Sequence, residues 1–120
     1  MKYIDYATFV KLYGEAKESS NLDLFIAERG WQDWMNSFGP SGIFKIMEEI
    51  FFLSKSSLAE IRKKYGYSRV GLSRKYYIPA RTLQGWDDGS RTAPEYVTLM
   101  LYYTLFLDAV NKEDENGTEK

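Results

Sequence analysis

Apolar residues recur at steps of three and four positions along almost the whole chain, and this spacing constrains the fold more than any other feature. Between positions 5 and 18, the side chains that recur at these steps are Tyr6, Phe9, Val10, Tyr13 and Ala16. An α-helix has 3.6 residues per turn, so the spacing brings such side chains to one face. No segment alternates with the period of two that a half-buried strand requires. The pattern therefore predicts an all-α fold, a helical bundle.

Glycine, proline and capping residues divide this pattern into separate helices. The predicted helices cover residues 5–18, 22–38 with a bend or break at Gly30, 43–53, 58–65, 68–76, 79–88 and 95–110. Asn21 is predicted to cap the second helix. Gly39-Pro40-Ser41-Gly42 is the strongest turn signal and predicts a loop, in which Ser41 caps the next helix. Pro79 is predicted at the first helical position of its helix, and Pro94 opens the last one.

The length of 120 residues is that of one ordinary domain. We expect a single all-α domain over residues 1–110, composed of an N-terminal helical extension (1–56) and a second part (57–110). Residues 111–120 are charged and poor in apolar side chains, which predicts an acidic, flexible tail. The longest apolar run, at 50–53, is far shorter than the ~20 residues that cross a bilayer, and no secretory signal precedes it. The sequence thus predicts a soluble, cytoplasmic protein.

The sequence contains no histidine and no cysteine. Disulfides, thiol nucleophiles, structural zinc sites and imidazole bases are therefore excluded. The sequence also lacks a glycine-rich phosphate loop, an acidic calcium loop and a carboxylate pair at a convincing spacing. We therefore predict no enzymatic activity, no cofactor and no bound metal, and recognition is favoured over chemistry.

The net charge of −1 hides an uneven distribution of charge along the chain. Residues 57–91 contain eight Lys or Arg and three Asp or Glu, which is a net charge of +5. Residues 1–56 carry −2, and residues 92–120 carry −4. A basic segment between acidic ones can mark a nucleic-acid-binding face, although a solvated helix surface rich in Lys and Arg gives the same pattern.

Three short predicted helices joined by short turns in this basic segment have the dimensions of a helix-turn-helix. From Ser68 to Arg91 the sequence is SRVGLSRKYYIPARTLQGWDDGSR, and it resembles the Cro/phage-repressor type, or XRE-like, DNA-binding domain. The resemblance covers about residues 57–108. It rests on Ser73, Ile78, the Thr82-Leu83-x-x-Trp86-acid-x-Gly89 ending and Pro94. It implies that residues 57–110 are a helix-turn-helix followed by a C-terminal helix, with helix 79–88 as the recognition helix.

The resemblance also implies the surroundings of individual residues. Leu72 and Leu83 are expected to be buried, and Ser73 is expected where the two motif helices cross closely. Trp86 is expected to dock the recognition helix as a core residue.

Three positions depart from the family pattern. The turn has Tyr77 where the family commonly has Gly, which predicts a different turn backbone because Tyr tolerates positive φ poorly. Pro79 replaces the usual capping Ser. Gly85 lies inside a helix and suits a close approach to a phosphate or a base. Outside this comparison, Asp87 is predicted to be an exposed or capping carboxylate.

A recognition helix enters the major groove with its N-terminal residues nearest the base edges. Arg81 is therefore predicted to contact guanine, Gln84 adenine and Ala80 a thymine methyl group. The residues predicted to contact the DNA backbone are Arg69, Lys75, Thr82, Ser90 and Arg91. Arg69 is expected either to reach phosphate or to support Arg81. Ordinary exposed helix residues are the alternative interpretation of Arg81 and Gln84.

Two further segments suggest protein partners. The segment 22–38 is dense in aromatic residues, including Trp31, Trp34 and Phe38, and either forms core or offers a surface to another protein. The helix over 97–107 is apolar on more faces than one core requires, which predicts a homodimer through the C-terminal helix.

The sequence thus predicts a sequence-specific, double-stranded DNA-binding protein that regulates transcription. The alternative is a protein-binding adaptor or inhibitor built on a helix-turn-helix scaffold, of a phage, mobile-element or antitoxin-like kind, because a fold does not determine a function.

Overall fold

The computed structural model describes residues 3–118, and these residues form helices without a strand. The α-helices are α1 (Tyr6–Glu18), α2 (Leu22–Arg29), α3 (Pro40–Lys55), α4 (Leu58–Lys64), α5 (Arg69–Tyr76), α6 (Ala80–Asp88) and α7 (Glu95–Thr118), and a 3-10 helix covers Asp33–Ser37. The all-α prediction is confirmed.

The largest differences from the predicted helix boundaries are at the start of α3 and at the end of α7. The segment predicted as a loop before α3 is helical from Pro40, because proline pre-sets the backbone of a first helical position. The amide of Ile43 closes the first turn on the carbonyl of Gly39, at 3.0 Å. At the other end of the chain, α7 continues past Val110 to Thr118. Most of the predicted tail is therefore helical, and residues 119–120 lie outside the described residues.

The chain divides into two compact units. Unit 1 combines the N-terminal residues through Lys55 with the residues from Met100 onward. Unit 2 is the continuous segment Ser56–Leu99.

The core of unit 1 is built on aromatic side chains of α1. Phe9 is fully buried, and its ring centroid lies 5.3 Å from that of Tyr103 and 5.4 Å from that of Phe106. One turn further along α1, the Tyr13 ring lies 6.1 Å from the ring of Tyr102. Burial of an apolar side chain of this size stabilises a fold by about 1.5–3 kcal/mol. These contacts hold the first helix against the last one.

Polar contacts tie other segments of unit 1 together. The Tyr103 hydroxyl donates to the carbonyl of Ile4 at 2.7 Å, and burial raises the pKa of that hydroxyl above its ordinary value. The Lys55 ammonium donates to the carbonyl of Lys17 at 2.9 Å, which joins the last turns of α1 and α3. Arg29 at the end of α2 pairs with Glu15 of α1 at 2.9 Å.

The side chains of the aromatic segment 22–38 differ in how far they are buried. Met35 is buried and Trp34 and Phe38 are half-buried, whereas 69% of Trp31 is exposed. The core interpretation therefore fails for Trp31. Gly30 has φ 62° and ends α2, as its predicted role as a break requires.

The apolar residues of α7 are largely buried by packing within the same chain. Leu101, Tyr102, Leu105 and Phe106 are buried, while Tyr96 and Met100 are exposed by 65% and 48%. A dimer through this helix stays a prediction, and it would have to use this smaller exposed set. Within the described residues, no helix has both the length and the apolar character needed to cross a membrane.

Candidate nucleic-acid interface

Three short helices, α4 to α6, make up most of unit 2, and one fully buried aliphatic side chain from each forms its centre. These side chains are Ile61, Leu72 and Leu83. The burial expected of Leu72 and Leu83 is confirmed. Ser57 and Ser68 cap α4 and α5, because each side chain accepts a hydrogen bond from a backbone amide of the first turn.

Helix α6 begins one residue later than predicted. Pro79 has φ −55° and ψ 135°, so it is the N-cap and not the first helical residue. Its carbonyl accepts the first helical hydrogen bond, from the amide of Leu83 at 3.1 Å. Ala80 is therefore the first helical residue, and Gly89 ends the helix with φ 81°.

The two faces of α6 differ in exposure. Leu83 is 1% exposed, whereas Ala80, Arg81 and Gln84 are all exposed. Residues three and four positions apart lie on the same face of a helix, which places Gln84 beside both Arg81 and Ala80. The three residues predicted to read bases therefore lie together on one accessible face.

Tyr77, in the connection between α5 and α6, adopts the left-handed conformation with φ 57° and ψ 37°. Among the described residues, it is the only non-glycine with a positive φ. The prediction of a different turn backbone is therefore wrong. The carbonyl of Ser73 accepts hydrogen bonds from the amides of Tyr77 and Ile78, the second at 3.2 Å. The hydroxyl of Ser73 in turn donates to the carbonyl of Ile78. These hydrogen bonds hold the turn in a conformation that suits glycine better.

Asp87 is neither exposed nor a cap, contrary to the prediction from sequence. Its side chain is 5% exposed, and Oδ2 accepts hydrogen bonds from Arg62 Nη2 and from Arg69 Nε, each at 3.0 Å. Arg62 belongs to α4, Arg69 to α5 and Asp87 to α6. One carboxylate therefore joins the three helices of unit 2.

Arg62 was not predicted from the sequence to have a role, although a signal for its burial exists. It follows Leu58 by four positions and Ile61 by one. That spacing assigns it to the apolar face of α4, where a charged residue needs a buried partner. Its Nη1 also donates to the carbonyl of Tyr67 at 3.2 Å.

The structure clarifies the environment of Arg69. Its Nε is bound to Asp87, so it orients that carboxylate and not Arg81. Its side chain is nevertheless 41% exposed. A phosphate contact from the exposed part of Arg69 stays a prediction.

The other residues predicted to contact the DNA backbone lie in several environments. Lys75 is exposed, with its Nζ 5.7 Å from the centroid of the Tyr67 ring and 5.8 Å from that of Tyr76. Thr82 is half-buried and Ser90 is exposed. The Ser90 amide donates to Asp88 Oδ1 at 2.9 Å, which lowers the pKa of the Asp88 carboxyl.

Gly85 is buried, and its lack of a side chain serves contacts within the chain. A Cβ at this position would lie 3.0 Å from both Cγ and Cδ of Arg91. The amide of Arg91 also donates to the Gly85 carbonyl at 3.1 Å. The stem of Arg91 therefore occupies the space that the sequence predicts for a phosphate or a base. Trp86, expected in the core, is half-buried.

The exposed charge of the segment 57–91 is strongly basic. The exposed basic residues are Lys63, Lys64, Arg74, Lys75, Arg81 and Arg91, against the exposed acidic residues Glu60 and Asp88. Within the described part of the chain, no group of three or more acidic side chains is arranged to hold a metal ion.

Comparisons with known proteins gave no match, so the geometry described above is the basis for the proposed function. No protein-family model matches the sequence, and no curated protein or solved structure matches it either.

Proposed function

We propose that the protein binds specific sequences of double-stranded DNA, with α6 as the helix that enters the major groove, and thereby regulates transcription. The observation that carries the proposal is the exposure of Ala80, Arg81 and Gln84 together on a helix that is anchored in unit 2 by the buried Leu83. These side chains belong to the first five residues of α6. In groove-binding helices the N-terminal residues lie nearest the base edges.

Each of the three side chains suits a different base. The guanidinium of Arg81 can donate two parallel hydrogen bonds to O6 and N7 of guanine. The amide of Gln84 can donate to N7 and accept from N6 of adenine, and the methyl group of Ala80 can contact the thymine methyl. A few contacts of this kind carry the sequence information of a site.

Contacts to the DNA backbone supply affinity without sequence information. Lys75, Ser90 and Arg91 are exposed and suited to this role. Thr82 and Arg69 would contribute through the exposed parts of half-buried side chains. Because the acidic segments on either side of this region oppose the field of the phosphates, we expect modest affinity for unrelated DNA.

The proposal includes a two-fold dimer that binds half-sites about 34 Å apart, which is the common arrangement of helix-turn-helix regulators. It also includes a cytoplasmic location, where the DNA of a bacterium, a phage or a mobile element is accessible.

The test begins with selection of bound sequences from a random duplex pool by the full-length protein. The selected site is then used to compare Arg81→Ala with Arg74→Ala. Both changes remove one positive charge from an exposed Arg of unit 2, but only Arg81 is assigned to a base. Arg81→Ala should weaken binding of the selected site by about 1–3 kcal/mol and relax the preference at one base position.

Arg74→Ala should weaken binding to all duplexes alike and leave the preference intact. Lys75→Ala should behave in the same way. The affinity should fall steeply across a salt series, because binding to phosphates releases counterions. A protein that is not retained on duplex DNA or heparin at any salt concentration would contradict the proposal and favour a protein-binding adaptor.

A further inference from the structure

A cavity of about 370 Å³ lies in unit 1, between α2, the 3-10 helix and the first half of α3. Ten residues line it, and none of them is charged or has a polar side chain other than the indole N–H of Trp31. This volume lies in the range of small-molecule sites. None of its lining residues is one to which the proposed DNA contacts are assigned.

The floor and the rim of the cavity have different properties. Met35 and Met47 are 4% and 1% exposed, and their flexible, polarisable side chains adapt to the shape of a bound group. Trp31 and Phe44, by contrast, are exposed by 69% and 47%. Large apolar side chains that remain in water around a concave surface are typical of a binding site.

The rim is held in place by the protein itself. The Nε1 of Trp31 donates to Asn36 Oδ1 at 2.9 Å, and the left-handed Gly30 sets the direction of the chain that leads to Trp31. Next to it, the Nε1 of Trp34 donates to Gln32 Oε1 at 2.8 Å. Both indole N–H groups are therefore already used by the protein.

The polarity of the lining determines which ligands fit. A charged group inside this cavity would lose its hydration without gaining a partner. An extended peptide would bury backbone N–H and C=O groups for which the side chains of these ten residues offer no hydrogen bond. An uncharged, apolar molecule has neither cost. A cavity of about 150 Å³ holds benzene, so this one has room for a molecule of about two to three rings.

We propose that this cavity binds an uncharged, apolar small molecule, of a size near two to three fused or linked rings, with the rings against Trp31 and Phe44. This site does not depend on the DNA-binding proposal. If no ligand binds in the experiment below, the DNA-binding proposal is unaffected.

The test is titration of the full-length protein with N-phenyl-1-naphthylamine, an uncharged probe whose fluorescence rises in apolar surroundings. We expect saturable binding at one site per chain. The matched probe 1-anilinonaphthalene-8-sulfonate has the same rings with an added sulfonate, and it should bind about tenfold or more weakly. Equal affinity for the two probes would overturn the assignment of ligand class.

Three variants separate the cavity from the rest of the apolar surface. Trp31→Ala removes part of the rim, and Ala27→Trp places an indole among the lining residues, so each should weaken binding about tenfold or more. Leu24→Ala is the control. Leu24 lies on α2, as Ala27 does, and is 46% exposed, but it is not a lining residue of the cavity. If Leu24→Ala weakens binding as much as Trp31→Ala, the probe is adsorbed on the surface and the proposal is wrong.

A second measurement does not depend on substitutions. In protein with ¹³C-labelled methionine methyl groups, the uncharged probe should shift the signals of Met35 and Met47 and leave that of Met100 unchanged. Unchanged signals of Met35 and Met47 under saturating probe would overturn the proposal. So would a dimer, detected by sedimentation, that Trp31→Ala converts to monomer, because a second copy would then cover the cavity.

Discussion

Tyr77 is the one residue other than glycine that the structure describes with a positive φ. A non-glycine in the left-handed region costs roughly 1–2 kcal/mol, and 93% of this side chain is exposed to solvent. Hydrogen bonds of the turn to Ser73 hold the backbone there. The turn's own hydrogen bonds, and not burial of the side chain, therefore offset the strain.

Tyr77→Gly should raise the free energy of unfolding by about 0.5–1 kcal/mol, because glycine adopts this conformation without strain. Urea unfolding followed by circular dichroism measures the difference. Tyr77→Val provides the opposite control, since a β-branched residue tolerates the left-handed region even less well. A clear loss of stability in Tyr77→Gly would mean that the tyrosine ring makes a stabilising contact.

The carboxylate of Asp87 joins the three helices of unit 2 through its ion pairs with Arg62 and Arg69. It neutralises the buried guanidinium of Arg62, whose side chain is 10% exposed. Loss of one member of such a pair leaves the other as an uncompensated buried charge, which costs about 3–5 kcal/mol.

Asp87→Ala should therefore destabilise the protein by about 3–5 kcal/mol, and the milder Asp87→Asn by less. The neighbouring Asp88→Ala is the matched control, because Asp88 is exposed and accepts a hydrogen bond from the nearby amide of Ser90. We expect a much smaller loss for the control, because its carboxylate is in contact with water and its removal leaves no buried charge. Equal effects of the two alanine variants in urea unfolding would contradict the role assigned to Asp87.

At the scale of the helices, the ends of the elements are set by short-range hydrogen bonds. In α4, the Ser57 amide donates to Glu60 Oε1 at 2.8 Å and the Glu60 amide donates to Ser57 Oγ at 3.2 Å. This reciprocal pair is a capping box. The hydrogen bond from the Ser57 amide lowers the pKa of Glu60 below its ordinary value of 4.5.

A lowered carboxyl pKa stabilises the fold at pH values above the ordinary pKa, and the contribution is lost as the pH falls through the folded-state value. Glu60→Gln keeps a hydrogen-bonding side chain but removes the charge. The wild type should therefore be more stable than Glu60→Gln at about pH 7, and the difference should vanish towards about pH 3. Thermal unfolding at both pH values tests this, and a difference that does not change with pH would contradict it.

At the scale of the whole molecule, unit 1 is discontinuous in sequence. The contact between the Tyr103 hydroxyl and the Ile4 carbonyl joins positions 99 residues apart. The core on α1 is completed only by side chains of α7, among them Tyr103 and Phe106. The core on the first helix therefore stays incomplete until α7 is present, although α1 also packs on α3.

A chain truncated after Leu99 should fail to form unit 1. It loses the buried Leu101, Leu105 and Phe106, which together are worth about 5–9 kcal/mol, a large part of the stability of an ordinary domain. A chain truncated after Val110 is the control, since it keeps these three side chains and should show the same cooperative unfolding as the full chain. An unchanged unfolding transition in the shorter chain would contradict this account of the core.

Several features of the protein could be predicted from the sequence because they depend on neighbours. The helical class follows from spacings of three and four residues. The break at Gly30 and the cap of α2 at Asn21 follow from backbone preferences and hydrogen bonds within one turn. The exposed face of Arg81 and Gln84 follows from helix periodicity once the buried Leu83 is identified.

Other features were decided only by the tertiary structure. The partner of Arg62 is 25 residues away, and no local pattern indicates that Asp87 would be buried beside it. The neighbour that requires Gly85 to be small is Arg91, beyond the end of the helix. Trp31 stays exposed although the pattern around it equally suits a core. Burial and ion pairing depend on which surfaces meet, and that is a property of the packed helices rather than of any one segment.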